Sequence, residues 1–321
     1  FKYKRIILKE IFPALLLSSC RADVTDEQYF GFVFLYKNFS RIFTLGDDNG
    51  AKFYLRSLSK PVQASIMADF NLQRELDLSD EEIAVCCASH SGTKRHCDLV
   101  LSILKKAGLD ESYLKCPSAV PLDMRDFDGT KRPLYHNCSA KHALMLALCV
   151  KNGWDLTDYL EINHPLQKII KEKHLVMSGA RDIEISLDGC GAPVFALCAD
   201  NIAKMFFNLF NDRKYRFLRN AMVENPYIAG GKDRPDSEIM ELGQGNLVSK
   251  VGAGGFVLVY NIKEDMILIV KMSQNNNLPR RIVTLNALLK LGWIKSNPAP
   301  SEYFNDCGKK VGDYICNFSF L

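Results

Sequence analysis

Two stretches near the start of the chain are runs of largely apolar positions, rich in aromatic and β-branched residues. "YFGFVFLYKN" (29–38) and "SRIFTLGD" (40–47) therefore read as paired strands that end at a turn over Gly46 to Gly50. "KPVQASIMADFNLQREL" (60–76) reads as one helix with Pro61 in its first turn. "EEIAVCCASHSG" (81–92) reads as a buried strand running into a polar loop. Helical spacing then recurs near 93–107, 140–151, 165–176 and 200–223. "IEISLDGCGAP" (183–193) interrupts the helices as an extended segment ending in a glycine-rich turn. Strands return in "NLVSKVGAGGFVLVYN" (246–261) and "DMILIVKM" (265–272), and "PRRIVTLNALLKLG" (279–292) closes the series as a helix.

Strands at both ends with helices between them predict an α+β fold, in which the terminal strands close one antiparallel sheet and the helical middle packs against it. A regular βαβ alternation is missing, which argues against a doubly wound sheet. No linker-like composition marks a boundary, so residues 1–321 read as one domain.

Composition changes the picture only by exclusion. The formal net charge is +4, and the densest basic spots, "FKYKR" and "KDR", lack interleaved aromatics, so nucleic acid is not an expected partner. The chain holds 11 cysteines, an odd and irregularly spaced set without a C-x-x-C, which points to reduced thiols and a cytoplasmic setting rather than a disulfide framework. The opening "FKYKRIILKEIFPALLLSSC" mimics a signal segment, but Lys9 and Glu10 interrupt its apolar run. A first strand followed by a loop is the expectation there. No segment has the length of a membrane-spanning helix, and a membrane partner is not expected.

Three places could carry chemistry. In "RSLSKP" (56–61), Ser57-x-x-Lys60 sets a hydroxyl and an amine on one face of a first helical turn. A desolvated lysine can lose its proton near neutral pH and then accept one from serine. Three other S-x-x-K spacings occur, at Ser91–Lys94, Ser102–Lys105 and Ser112–Lys115, but only Ser57–Lys60 sits at a strand-to-helix junction with proline following. An ordinary helix start reads the same way. "CCASHSG" (86–92) offers small hydroxylic residues at the end of the expected strand, or simply a polar loop.

The third place pairs "HNCSAKHALMLAL" (136–148) with "DGCGAP" (188–193). Cys138, Cys190 and a neutral Lys141 could form a three-ligand site for zinc, with one position left open for water. A helix mouth would also lower the thiol pKa of Cys138. Two partly buried free thiols and a surface lysine fit the spacing at least as well. His96, His164 and His174 show no partner pattern and read as surface or interface residues. "GAGG" (252–255) runs into a strand and reads as a tight bend, not a phosphate cradle.

Taken in order, "RSLSKPVQA", "ASHSG", "HNCSAKHALMLAL", "NHPLQ", "DGCGAPVFAL" and "LVSKVGAGG" resemble the rhizobial-type L-asparaginases, the asparaginase II family, over roughly residues 15–295. The resemblance implies a serine-β-lactamase-like α+β fold, a homodimer, and hydrolysis of L-asparagine to L-aspartate and ammonia. It implies that Ser57 and Lys60 are the primary Ser-Lys pair and Ser89 a second active-site serine. Lys271 in "IVKM" would partner Ser89. Cys138, Lys141 and Cys190 match its zinc positions, about one zinc per chain, and Arg56, His142 and Asp188 match residues lining the same cleft.

The chain departs from the family pattern at Ala140, in place of glycine, at Gly254, in place of an acid, and at Leu258, in place of a cysteine. The N-terminal signature is reduced to something like "SSCR" at Ser18 to Arg21. The alternatives left open are a related amidase or glutaminase with an altered pocket, and a zinc-binding member with little turnover.

Overall fold

The computed structural model describes residues 9–320; the basic start of the chain lies outside the described residues. β1 (Ala14–Arg21), β2 (Val24–Lys37) and β3 (Ser40–Leu45) open the fold. β4 (Lys52–Tyr54), β5 (Glu184–Leu187) and β6 (Pro193–Cys198) form a small sheet of three strands in the order β4-β6-β5. β7 (Leu247–Gly252), β8 (Phe256–Asn261), β9 (Met266–Met272), β10 (Glu302–Phe304) and β11 (Lys310–Cys316) complete the large sheet. Its order is β10-β11-β1-β2-β9-β8-β7, with β3 also on β2, and every pairing is antiparallel.

Chain ends do meet in one sheet, because β11 pairs with β1. The α+β expectation is thus realised. β10 and β11, however, follow the final helix and carry too little apolar alternation to be read in advance.

The large sheet is covered on both faces, so its central strands are buried without alternation. One face (Phe32, Phe34, Tyr36, Leu258, Ile269) packs on the helical layer and the small sheet. The other (Val33, Leu35, Val259, Leu268, Val270) packs on the helix Asn277–Lys290. Cross-strand register sets the rows on the helical face. Gly252, Phe256, Lys271 and Phe32 form one row, and Lys250, Leu258, Ile269 and Phe34 form the next. Both lysines therefore point toward the helices.

Several expected elements differ. Residues 81–87 are not a strand but most of a helix, Asp80–Cys87. Ser79 accepts from the Glu82 amide and Glu82 reaches back to the Ser79 amide, a capping box that starts the helix. The single helix expected over 60–76 is three short pieces, Lys60–Ala64, Ile66–Asp69 and Leu72–Glu75, with Asn71 left-handed at φ 54° before the last. The helix expected over 200–223 is likewise two, Ala199–Asn211 and Arg216–Glu224. The "GAGG" bend is a hairpin turn between β7 and β8, as expected.

Candidate active site

β4 delivers the chain into a 3-10 turn, Arg56–Ser59, and then into the helix Lys60–Ala64. Arg56 is left-handed at φ 50°, a strained conformation for a side chain with a Cβ. Its Nε donates to Asp188 Oδ1 at 2.5 Å, and this ion pair fixes the turn to the loop between β5 and β6. The next residue, Ser57, is half-buried, and among the described residues its hydroxyl has no side-chain partner.

Lys60 is fully buried, with its Nζ 2.8 Å from Ala88 O, 2.7 Å from Asn137 O and 3.1 Å from Ser89 Oγ. Burial pushes its pKa down to about 8, helped by the nearby charges of Lys250 and Lys141 and opposed by Cys138. In the neutral amine, two N–H groups donate to the two carbonyls. The lone pair is then left for the Ser89 hydroxyl, which is the arrangement of a general base.

Ser89 lies just beyond the helix Asp80–Cys87 and meets a second lysine. Lys250 Nζ is 3.3 Å from Ser89 Oγ and donates also to Asp236 Oδ2 at 2.9 Å and Val251 O at 3.1 Å. Ser89, Lys60 and Lys250 are only 4%, 1% and 1% exposed, so solvent does not screen the cluster. Asp236, itself buried on the helix Pro235–Leu242, neutralises the Lys250 ammonium.

The partner expected for Ser89 was Lys271, and that pairing is not formed. Lys271 sits one row away on the same face of the sheet, bonds to Met272 O at 2.7 Å and lies over the Phe53 and Phe256 rings. Lys250, the lysine of "LVSKVGAGG", takes that place instead. A lysine two residues before a glycine at the end of a strand is a signal for it, the Lys-x-Gly part of the motif set of penicillin-recognising enzymes. Nothing in the local sequence marks Asp236.

Cys138, Lys141 and Cys190 do come together. Cys138 caps the helix Ser139–Asn152, Lys141 lies one turn in, and Cys190 comes from the β5–β6 turn. Lys141 Nζ is 3.1 Å from Cys190 Sγ. A hydrogen bond from Cys190, with the charges of Lys60 and Lys141, outweighs burial and holds the Cys138 thiol well below its usual pKa. The helix mouth is thus not the main cause. The same hydrogen bond, with burial, pushes Cys190 up. Burial works against the charge on Lys141, but the facing sulfurs prevail and its pKa rises.

Among the described residues, no group of three His, Cys, Asp or Glu side chains is placed to hold a metal; this trio has two thiols and an amine. All eleven cysteines are free thiols.

Arg56 and Asp188 lie where a substrate could reach them, but His142 does not. It is fully buried, its Nδ1 paired with the Tyr159 hydroxyl at 2.7 Å and its Nε2 without a partner. Burial lowers its pKa to about 3, so the ring is neutral. The histidines expected at the surface are buried too. His96 stacks between His90 and Tyr227, His164 caps the helix Pro165–Ser178, and His174 is paired with Ser59. Each has a local partner that periodicity does not reveal.

The model of one family, L-asparaginase II, matches residues 18–313. The chain belongs to the L-asparaginase II family. This family membership makes it an asparaginase-type amidohydrolase in general terms. No curated protein matches. Among solved structures, a beta-lactamase from Mycobacterium bovis is 13% identical, with 83% of this chain and 95% of that one covered at a TM-score of 0.43. A putative 6-aminohexanoate-dimer hydrolase from Bacillus anthracis is 12% identical, covering 81% and 78% at a TM-score of 0.46. Both overlaps are loose. The departures from the L-asparaginase II pattern are now placed: Ala140 is buried at the start of its helix, Leu258 faces Lys250 across β7 and β8, and Gly254 forms the hairpin turn.

Proposed function

We propose that the protein is an L-asparagine amidohydrolase in which Ser57 is the nucleophile and Lys60, with Ser89, handles its proton. The observation that carries this reading is the Lys60 amine, desolvated, lowered to about 8 and bonded to Ser89 Oγ at 3.1 Å. Ser57 lies one turn before it and is the more exposed of the two serines. Its hydroxyl is not bonded to Lys60, and such contacts commonly tighten only when substrate is bound.

Attack of Ser57 Oγ on the side-chain amide carbon forms a tetrahedral intermediate, and its proton passes to the neutral Lys60 amine through or beside Ser89. Lys60 returns that proton to the departing nitrogen, the C–N bond breaks, and ammonia leaves an ester on Ser57. Water, deprotonated by the same amine, then releases aspartate. The Lys250 ammonium, held by Asp236, donates toward Ser89 Oγ and keeps that oxygen in place as protons pass. Arg56, next to Ser57 in sequence, and its ion-pair partner Asp188 are suited to the charged ends of an amino acid.

Release of ammonia from L-asparagine, compared with L-glutamine, tests the reading. Faster release from asparagine is the expected result, and release from neither substrate would end it.

The donor set also fits a zinc ion: two thiols, one already favoured as thiolate, with a lysine amine beside them. Cys138, Lys141 and Cys190 would hold it, with Lys141 giving up its proton on binding. When bound, the metal would supply a Lewis acid that orients a polar group of the substrate. Elemental analysis of protein purified without chelator should find about one zinc per chain, and Cys190→Ser should lose most of it because a hydroxyl is a poor ligand for this ion. Metal-free protein that takes up no added zinc would leave the trio as a Cys–Cys–Lys hydrogen-bonded cluster.

A further inference from the structure

Beside Arg56 lies an open cavity of about 430 Å³. Its size is in the range that accommodates ligands much larger than a four-carbon amino-acid amide. Its charged lining is of one sign: Lys52, Arg56 and Lys271, with no carboxylate among the lining residues. Lys52 is already paired with Asp182 and Glu184, and Arg56 with Asp188.

Among the described residues, Lys271 has no acidic partner. Among the described residues its hydrogen bond is to Met272 O, and its Nζ lies over the aromatic faces of Phe53 and Phe256, at 5.8 and 5.5 Å. A half-buried ammonium with donors to spare at an apolar wall is poorly solvated, and an anion in the cavity would relieve it. The apolar surface continues outward, since Tyr54 and Leu187 at the lining are 45% and 72% exposed. At Gly254, also in the lining, a Cβ would meet nothing within 4 Å, so a side chain placed there would stand in open space beside the cavity.

We propose that this cavity receives the carboxylate and the apolar or aromatic body of an amide larger than asparagine, of the N-acyl amino acid class. The carboxylate binds Lys271 and Arg56, and the apolar body lies against Phe53, Phe256 and Leu187. This rests on the amidohydrolase reading above and extends its substrate class. The overall reaction adds water across the amide C–N bond. The oxygen goes to the acyl carbon as a new carboxylate, the nitrogen leaves as the free amino acid, and no oxidant or reductant is needed.

N-benzoylglycine is a suitable probe, titrated calorimetrically into the purified protein and three variants. Gly254 is left-handed at φ 79°, a conformation that Asn and Asp share about equally well, so Gly254→Asn and Gly254→Asp differ mainly in charge. Wild type and Gly254→Asn should bind within a few-fold of each other. Lys271→Met and Gly254→Asp should each bind about tenfold more weakly or worse, the scale of losing or opposing one charge-assisted hydrogen bond.

Equal affinity in wild type and Lys271→Met, or in the two Gly254 variants, would overturn the proposal. So would a wild type that does not bind the probe while still releasing ammonia from asparagine, an outcome that leaves the amidohydrolase reading intact. The reverse pattern, binding as expected with hydrolysis of neither amide, would leave an anion site only and overturn both the amidohydrolase reading and the substrate class built on it.

Discussion

Ser57→Ala is expected to lower kcat on L-asparagine by about three orders of magnitude or more, the usual consequence of removing a nucleophile. Little else should change. Ser57 is half-buried and its hydroxyl is bonded to no side chain among the described residues, so its loss orphans no buried group and stability should stay within about 0.5 kcal/mol. KM should also move little, because the hydroxyl acts on the reacting carbon rather than on the amino-acid ends of the substrate. The structure supplies a clear rival in Ser89, which two lysines contact. Near-native turnover in Ser57→Ala with turnover lost in Ser89→Ala would transfer the nucleophile to Ser89.

Lys60→Met should cost about 10² to 10⁴ in kcat/KM, the range of general-base help. In the wild type, kcat/KM should rise with pH to a plateau above about 8, as the Lys60 amine loses its proton. The residual activity of the methionine variant should lack that limb. Stability follows a separate sign. The pKa of Lys60 is lower in the folded chain than in the unfolded one, from 10.5 to about 8, so below about 8 the folded state carries the full cost of a buried charge. That cost is relieved as pH rises from about 8 to 10.5.

At pH 7 it amounts to about 3 kcal/mol, and methionine removes it. Against this, methionine leaves Ala88 O and Asn137 O without their donor, at about 1–3 kcal/mol each. The two effects are of similar size, so the melting temperature should shift by only a few degrees while activity collapses. A flat pH profile in the wild type across pH 6 to 9 would remove Lys60 as the base.

Much of the frame was legible because local chemistry and tertiary contact agree. The aromatic and β-branched runs of β2, β3, β8 and β9 can be little else, and the chain ends do close one sheet. The helix Asp80–Cys87 was not legible from its apolar run, since five consecutive buried residues, Ile83 to Cys87, fit a covered strand equally well. The Ser79–Glu82 capping box was the better signal. Ser89 was put at the site by the family resemblance alone, and since either element ends just before it, that expectation did not depend on the strand assignment.

The lysines show a limit of another kind. A period of two puts Lys250 and Lys271 on the helical face alike. Which of them meets Ser89 depends on the position of one row along the sheet relative to a loop more than 150 residues away in sequence, and no local pattern encodes that. His142 marks the same limit. Helical spacing sets it near Lys141, while the depth of the helix decides that it is sealed under the site.

The central claim, that the side-chain amide is opened through an ester on Ser57, is tested most directly by running L-asparagine hydrolysis in the presence of hydroxylamine. A covalent acyl intermediate partitions between water and the stronger nucleophile. Aspartyl hydroxamate should therefore appear at the expense of aspartate, in a ratio that rises with hydroxylamine concentration, and Ser57→Ala should form none. Ammonia released together with aspartate alone, at every hydroxylamine concentration, would mean that water attacks the amide directly and would contradict the account.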